Sequence, residues 1–471
     1  MRRDCSRSLF FDNGGQMELS YLENSRAKEI CDIIEENGYL AYCVGGCVRD
    51  VLRGQRPHDF DITTSALPEQ VTEIFESVGC KVICTGIAHG TVTVLYDDSH
   101  FEITTMRKEC GYRDNRHPDS VVFVEDIVLD LSRRDFTMNA IAYSFSQKAI
   151  VDPFDGAGDI GKGVIRSVGD PARRFDEDAL RILRALRFSS QLGYALDSET
   201  ETAMRKKMNL ISNLSSERIY SELVKLLCGD NAGRTVYDYY DVLSVIIPQL
   251  SDCYAFHQHS RYHCHDVLRH ICEVIDNIPP KKHLRLAALF HDLGKPDCFS
   301  LDDEGAGHFY GHSKVSADIA ESVLNRLKSD KLTADQVVFL VKHHDTPLPK
   351  DELLIKKRIS KIGEKCFFDL LLLAKADCLG QDRSVRCRLA DYDEIADTAR
   401  RVIDSADCLN IKNMKINGHD IILMGVGEGK QVGQILSALF DMVINNRVKN
   451  EHDSLCAAAK KLIADIRDSS L

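Results

Sequence analysis

The chain has 471 residues, 44% of them apolar, and a formal net charge of −12. That length buries a large core and is expected to divide into three or four domains. No apolar run approaches the roughly 20 residues that span a bilayer, so a membrane partner is not expected. The acidic balance excludes a generally adhesive nucleic-acid protein but allows a local positive groove.

Residues 1–17 read as a loose leader, with Met17 a candidate start. The basic opening MRRDCSRSLF lacks the apolar core of an export signal. Seventeen cysteines without zinc-spaced CxxC pairs read as reduced thiols in a cytoplasmic protein. A helix is expected over 25–37 and a strand over 39–44, then strands at 81–85, 91–96 and 99–105. From about residue 172 the period is helical almost throughout. The fold class is therefore α+β, a small α/β head followed by a long helical body. The expected parts are a head at 18–170, a helical neck at 171–252, a third domain at 253–380 and a helical tail at 381–471.

The first chemical signal is GGCVRDVLRGQRPHDFDIT, Gly45 to Thr63. On a strand, Asp59 and Asp61 project to one face, with Phe60 and Ile62 toward a core. Two adjacent carboxylates repel unless a cation lies between them, and hard oxygen ligands suit Mg²⁺. Gly45 and Gly46 allow a backbone to approach phosphates closely, and Arg49 can neutralise one. Glu102, in FEIT, places a third carboxylate on a neighbouring strand, where it holds metal or accepts a proton. An exposed strand glutamate is the alternative. Residues 106–121 are polar and loop-like. In RRDFTMNA, Arg133 and Arg134 can reach sugar or triphosphate with Asp135 orienting them, while Thr137 and Asn139 suit a helix cap.

EDALRILRALRF, 177–188, reads as one helix on which Asp178 and Arg181 are i,i+3 neighbours. Three-residue steps drift by about 60°, which puts Arg184 beside Arg181 and turns Arg187 away from Asp178, toward a phosphate or structural role. An Asp–Arg pair offers one acceptor and several donors. Cytosine and adenine both present an amine donor beside a ring-nitrogen acceptor, and uracil and guanine present the reverse. One such pair can admit C and A without a template. An ordinary surface ion pair, helped by Glu177 to Arg181, is the alternative.

GGCVRD with DFDITT, FEITTMR, RRDFTMNA and RFDEDALRILRALRF resemble the bacterial-type (class II) CCA-adding tRNA nucleotidyltransferases and their poly(A) polymerase relatives. The resemblance implies a polymerase-β-like head with Mg²⁺ on Asp59 and Asp61. It implies that Gly46 and Arg49 contact the incoming triphosphate and that Arg134 binds nucleotide with Asp135 alongside. Asp178 and Arg181 would read the base edge, supported by Arg184 and Arg187. The family's flexible loop matches Arg107 through Val121, so addition of A as well as C is expected. Glu217 and Arg218 of SSERIYSEL are expected to brace helices. The implied substrates are CTP, ATP and tRNA held at its acceptor end and T arm, with no stable protein partner. Poly(A) or A-only addition in the same superfamily is the second reading.

Further on, His270, His291-Asp292 and Asp377 form an H…HD…D series on predicted helices. Two histidines and two aspartates suit one divalent transition metal, which hydrolyses phosphoesters through bound hydroxide. His312 and His343 or His344 could add a second metal or bind phosphate, and His263, His265 and Asp266 compete as the first ligand. The stretch resembles the HD phosphohydrolase superfamily, implying phosphodiesterase or phosphatase activity. A hydrolase with a sensor head is thus the third reading, opposed by the intact Asp59, Asp61, Asp178 and Arg181. In the tail, Gly418 and the Gly425, Gly427, Gly429 turn precede short helices, and the turn's amides could meet tRNA phosphates.

Overall fold

The computed structural model describes residues 14–57, 59–87, 90–112, 118–259, 265–405 and 408–468. They form two compact units, Met1–Pro248 and Gln249–Leu471. Of the expected leader, residues 1–13 lie outside the described residues. From Gly14 the chain is helical rather than loose, because the Gly14–Glu23 helix carries the fully buried Leu22.

The first unit is built on strands β1 (Ala41–Val44), β2 (Asp61–Thr64), β3 (Lys81–Gly86), β4 (Thr91–Tyr96), β5 (Ser99–Thr105), β6 (Arg107–Tyr112), β7 (Pro118–Phe123), β8 (Ala142–Ser144) and β9 (Ala149–Val151). Seven of them form one sheet in the order β3-β4-β5-β2-β1-β8-β9. Its pairings are antiparallel except β2–β5, which is parallel. The interior strand β1, AYCV, is buried at every position, as expected of a strand covered on both faces. β5 alternates instead, with Phe101 and Ile103 in the core and Glu102 exposed.

The expected loop at 106–121 is instead largely a separate hairpin, β6 paired with β7 from Arg107↔Phe123 to Tyr112↔Pro118. Its polar sequence hid it because the ribbon is not packed into the core; Val122 and Phe123 are themselves exposed. Residues 113–117 of that expected loop lie outside the described residues.

Beyond the sheet come helices Pro171–Glu177, Leu180–Leu192, Ser198–Lys207 and Ser216–Leu227. The expected single helix through EDALRILRALRF is broken at Asp178, whose backbone is extended (φ −145°, ψ 105°). Leu180–Leu192 packs on Ser216–Leu227 through an apolar face including Leu183, Leu186, Leu223 and Leu227, each buried leucine contributing about 1.5–3 kcal/mol. Gly193, in the left-handed region at φ 71°, ends the first of these helices.

The second unit is mostly helical, carried by Val267–Asn277, Lys282–Phe290, His312–Arg326, Lys331–His343, Glu352–Ile362, Glu364–Gly380 and Arg388–Ser405. Its last helices, Gly418–Leu423, Lys430–Ile444 and His452–Asp468, close over their own core of Ile421, Ile435, Leu439 and Leu455. Among the described residues no helix is long and apolar enough to cross a membrane.

Candidate active sites

In the first unit the sheet and the neck helices line a cleft of about 930 Å³. β2 opens with Asp61, exposed to this cleft, and β5 sets Glu102 in register with it. Asp59 stands in an exposed bend two residues before the strand rather than on it. Its charge still reaches Asp61. Desolvation pushes the Asp61 carboxyl up from its usual range, Arg134 opposes this, and Asp59 adds to the rise. Mutual repulsion among oxygen donors on neighbouring strands fits a hard divalent cation.

Opposite the carboxylates, Gly45 turns β1 into the Gly46–Leu52 helix with φ 74° and ψ −122°, a conformation reserved for glycine. A Cβ on Gly45 would stand 3.1 Å from Nη1 of Arg134. Arg133 and Arg134 are not oriented by Asp135, as the sequence suggested. Asp130, fully buried, holds both: its Oδ1 lies 2.7 Å from Nη2 of Arg133 and its Oδ2 3.2 Å from Nη2 of Arg134. Burial alone would raise the Asp130 pKa, but the two guanidiniums outweigh it and hold the group low. Sequence reasoning passed over Asp130, although its i,i+3 and i,i+4 spacing to the arginines was visible.

Asp135 instead takes Arg184, whose Nε and Nη2 lie 2.7 and 2.6 Å from Oδ2. Its Oδ1 accepts the Phe136 amide and the Asn139 side-chain amide. Burial opposes ionisation of Asp135, yet Arg184 and these donors lower its pKa to about 2. Asn139 also accepts from Nη1 of Arg49 at 2.9 Å, so a chain of polar contacts runs Arg49–Asn139–Asp135–Arg184. Asn139 and Thr137 therefore do not cap a helix. They form a single 3₁₀ turn before β8, and the Thr137 hydroxyl donates to Asp159.

The expected Asp178–Arg181 pair is not formed. Because the helix breaks at Asp178, the i,i+3 geometry does not apply. Asp178 caps the next helix by accepting the Leu180 amide and pairs with Arg218. Arg181 turns to Glu177 at 3.0 Å and to the carbonyls of Arg174 and Arg133. Both Asp178 and Arg181 still line the cleft, as do Arg184 and Arg187. The helical wheel does not run through the break, so only its own contacts place Arg187. It is buried against Glu222 at 3.0 Å and lies over the Phe188 ring at 4.3 Å. Arg218, expected only to brace helices, lines the cleft too.

In the second unit His270, His291, Asp292 and Asp377 converge. Nε2 of His270 lies 2.9 Å from Asp377 and 3.3 Å from Asp292, and Nε2 of His291 lies 3.2 Å from Asp292. His312 and His344 approach the other oxygen of Asp292 at 3.3 and 3.6 Å. His343 instead packs on Phe339. Asp266 caps the Val267–Asn277 helix, His265 lies just before it outside the cluster, and His263 lies outside the described residues.

Each of the four clustered histidines turns Nδ1 to a backbone carbonyl, of Gly380, Ala288, Phe309 and Val341 respectively. A carbonyl only accepts, so Nδ1 carries the proton and Nε2 presents a lone pair. Those lone pairs meet at 3.3 Å between His270 and His291 and at 3.2 Å between His312 and His344. Buried Asp292 Oδ2 has no hydrogen bond of good geometry, although Nζ of Lys295 stands 2.7 Å away. Converging lone pairs around an under-satisfied carboxylate fit divalent metal, and two donor groups form, His270/His291/Asp292 and Asp292/His312/His344. Burial disfavours a charged His270, but Asp292 and Asp377 outweigh it and raise its pKa to about 9, so a metal taking the Nε2 lone pair would displace a proton from that nitrogen.

Carboxylates on adjacent interior strands under a basic cleft, with a histidine–aspartate cluster fit for metal in a helical second unit, define a polymerase-type head combined with an HD domain. Residues 41–166 match the family model "Poly A polymerase head domain", residues 193–253 match "Probable RNA and SrmB- binding site of polymerase A", and residues 261–407 match "HD domain". The CCA-adding enzyme of Lactobacillus helveticus is 34% identical over 91% of this chain and 95% of its own. That of Ligilactobacillus salivarius is 34% identical over 94% and 98%. The Bacillus stearothermophilus CCA-adding enzyme, solved in complex with CTP, superposes with a TM-score of 0.73 at 28% identity, over 95% of this chain and 98% of its own. The chain belongs to the CCA-adding enzyme family.

Proposed function

We propose that this protein adds CCA to the 3′ end of tRNA from CTP and ATP, releasing pyrophosphate, without a nucleic-acid template. The observation that carries the reading is one cleft lined by Asp61 and Glu102 at one wall and by Asp178, Arg181 and Arg184 at another. The tRNA 3′-oxygen forms a bond to the α-phosphorus as the bond to the pyrophosphate oxygen breaks. Asp59 and Asp61, with Glu102 beside them, would hold Mg²⁺, which supplies charge neutralisation and lowers the pKa of the attacking hydroxyl. The Gly45–Gly46 turn admits the triphosphate close to backbone, and Arg49 and Arg134 neutralise it. Asp178 accepts the exocyclic amine that cytosine and adenine share, while Arg184 is held ready by Asp135.

The four parts, 18–170, 171–252, 253–380 and 381–471, serve this reading as head, neck, HD domain and tRNA-binding tail. The tail turn at Gly425, Gly427 and Gly429 offers amides to tRNA phosphates. Free thiols at the fourteen cysteines whose side chains are described and a tRNA substrate support a cytoplasmic location.

The second activity we propose is phosphoester hydrolysis at the HD cluster. His270, His291, Asp292 and Asp377 would hold a divalent transition metal, which supplies a hydroxide nucleophile at neutral pH. His312 and His344 provide a further donor pair on Asp292. Lys295, buried beside Asp292, offers a positive charge to a bound phosphate.

A tRNA transcript lacking CCA, incubated with Mg²⁺ and CTP, ATP or both, tests the main reading. Two residues are expected with CTP alone and a third once ATP is present. Long A-tails with ATP alone would make it a poly(A) polymerase, and a single A on tRNA ending in CC would make it an A-adding enzyme.

A further inference from the structure

Arg358 is the one side chain among the described residues with two buried nitrogens that no hydrogen bond reaches, Nε and Nη2. An orphaned buried donor costs free energy, and more so when it is charged. These two atoms are not an arbitrary pair. Their N–H bonds point the same way and form the side of the guanidinium that grips two oxygens of one carboxylate or phosphate. Arg358 lies in the middle of the Glu352–Ile362 helix, between Ile355 and Ile359 of the core they form with Phe367, Ile395 and Val402.

The surroundings of this fork are positive. Burial and then the charges of Arg358, Lys342 and Lys361 lower the His343 pKa, so three cations converge on one ring and no carboxylate opposes them. Lys361 follows Arg358 by one turn, and Lys342 and His343 close the Lys331–His343 helix. Among the described residues Lys342, Arg358 and Lys361 form no ion pair. Lys350, Lys375 and Arg400 of the same unit do, with Asp391, Asp393 and Asp397. In a chain of net charge −12 such a gathering needs a cause. Helix C-termini favour cations and account for Lys342 and Lys361. They do not account for a guanidinium in mid-helix with its fork buried and unpartnered.

We propose that Arg358, with Lys342, Lys361 and His343 around it, is a phosphate-binding site on the second unit, taking a phosphodiester of RNA or the phosphate of a free nucleotide. The fork takes two oxygens and the lysines neutralise the remaining charge. The neutral imidazole has one N–H to donate to a third oxygen. A lone carboxylate would satisfy the fork but leave both lysines unanswered. Water does not touch the fork nitrogens, so neighbouring side chains shift as the anion enters. The site is separate from the HD cluster: His344 approaches Asp292 at 3.6 Å, whereas His343 packs on Phe339. The inference depends on neither proposed activity.

The test compares the full wild-type chain with Arg358→Met, Arg358→Lys and the Lys342→Gln/Lys361→Gln double variant. Inorganic phosphate and AMP are titrated by calorimetry in EDTA, which keeps metal-bound phosphate out of the signal, and a tRNA transcript is titrated by filter binding over a range of salt. If the phosphate is that of RNA, tRNA affinity at low salt is expected to fall by roughly tenfold in Arg358→Met, and the slope of log affinity against log salt by about 1, the share of one phosphate contact. If it is that of a nucleotide, tRNA binding is unchanged while inorganic phosphate and AMP each lose a site. Arg358→Lys keeps the charge but not the fork and should recover only part of the loss. The double variant should weaken the same probe as Arg358→Met. A structural arginine would instead lower the melting temperature with all three probes still bound at wild-type strength, and that result overturns the inference. Should Arg358→Met not fold, Arg358→Lys and the double variant are read in the same way, and wild-type binding in both overturns it equally.

Discussion

Asp61 and Glu102 stand in the same register on the parallel strands β2 and β5. Parallel pairing at this point brings two carboxylates side by side where the sheet opens into the cleft, with the charge of Asp59 close by. Asp59→Ala or Asp61→Ala should lower addition of every nucleotide by about 10³-fold or more, the scale of a lost electrostatic group at a phosphoryl-transfer centre. Glu102→Gln should cost less, about 10–100-fold, since it sits on the neighbouring strand. EDTA should abolish extension and Mg²⁺ restore it on the same tRNA assay. Full activity in Glu102→Gln would reduce that residue to an exposed strand glutamate.

Gly45 and Arg134 are coupled by space. Gly45→Ala places a methyl carbon 3.1 Å from Nη1 of Arg134, in a backbone conformation that costs a side chain about 1–3 kcal/mol. The expected outcome is a lower melting temperature and a raised KM for both CTP and ATP, because the arginine must move. Since β1 and its neighbours stay paired, kcat should fall less than KM rises. Steady-state kinetics with each nucleotide checks the split.

Much of this was legible in the sequence because the signals were local. Alternation exposed β5 with Glu102 on its open side, and the H…HD…D series carried its own spacing. Contacts set by tertiary packing were hidden. Asp178 was read as helical because its neighbours are strong helix formers. Yet its short polar side chain can cap the next helix instead, and at Leu180 it does. Asn139 and Arg218 stood in motifs read from the sequence, but their partners, Arg49 and Asp178, lie far from them in the chain and only packing brings them together. The β6–β7 hairpin lacked an apolar face and so lacked the alternation that marks a half-buried strand.

Asp135 and Arg184 make the acid limb of stability predictable. Folding lowers the Asp135 pKa from near 3.8 to about 2, worth about 2 kcal/mol by linkage. A carboxylate held low in the folded state stabilises above its unfolded pKa and loses that contribution as pH falls toward the folded value. Asp135→Asn removes the charge and leaves half-buried Arg184 without its partner, a loss of about 1–3 kcal/mol at neutral pH. The difference in melting temperature between wild type and variant should be full above pH 4 and shrink between about pH 4 and pH 2. A difference constant across that window would mean that the pair contributes by packing alone.

The HD cluster separates the two proposed activities cleanly, because its ligands all belong to the second unit and the nucleotide cleft to the first. His270→Ala deletes a donor that approaches both Asp292 and Asp377, and Asp292→Asn weakens the carboxylate that both histidine pairs approach, one pair at each oxygen. Each variant should bind Mn²⁺, Co²⁺ or Ni²⁺ about 10–100-fold more weakly, even outer contacts to a metal site being worth that much, with metal content read by elemental analysis after dialysis. Hydrolysis of phosphomonoester and phosphodiester substrates should disappear in parallel, while CCA addition in Mg²⁺ continues at the wild-type rate. His312→Ala is the sharper case. If the Asp292/His312/His344 group holds a second ion, that variant should retain one metal per chain and lose the other. If it retains the full wild-type content but loses hydrolysis, His312 and His344 serve the phosphate rather than a metal.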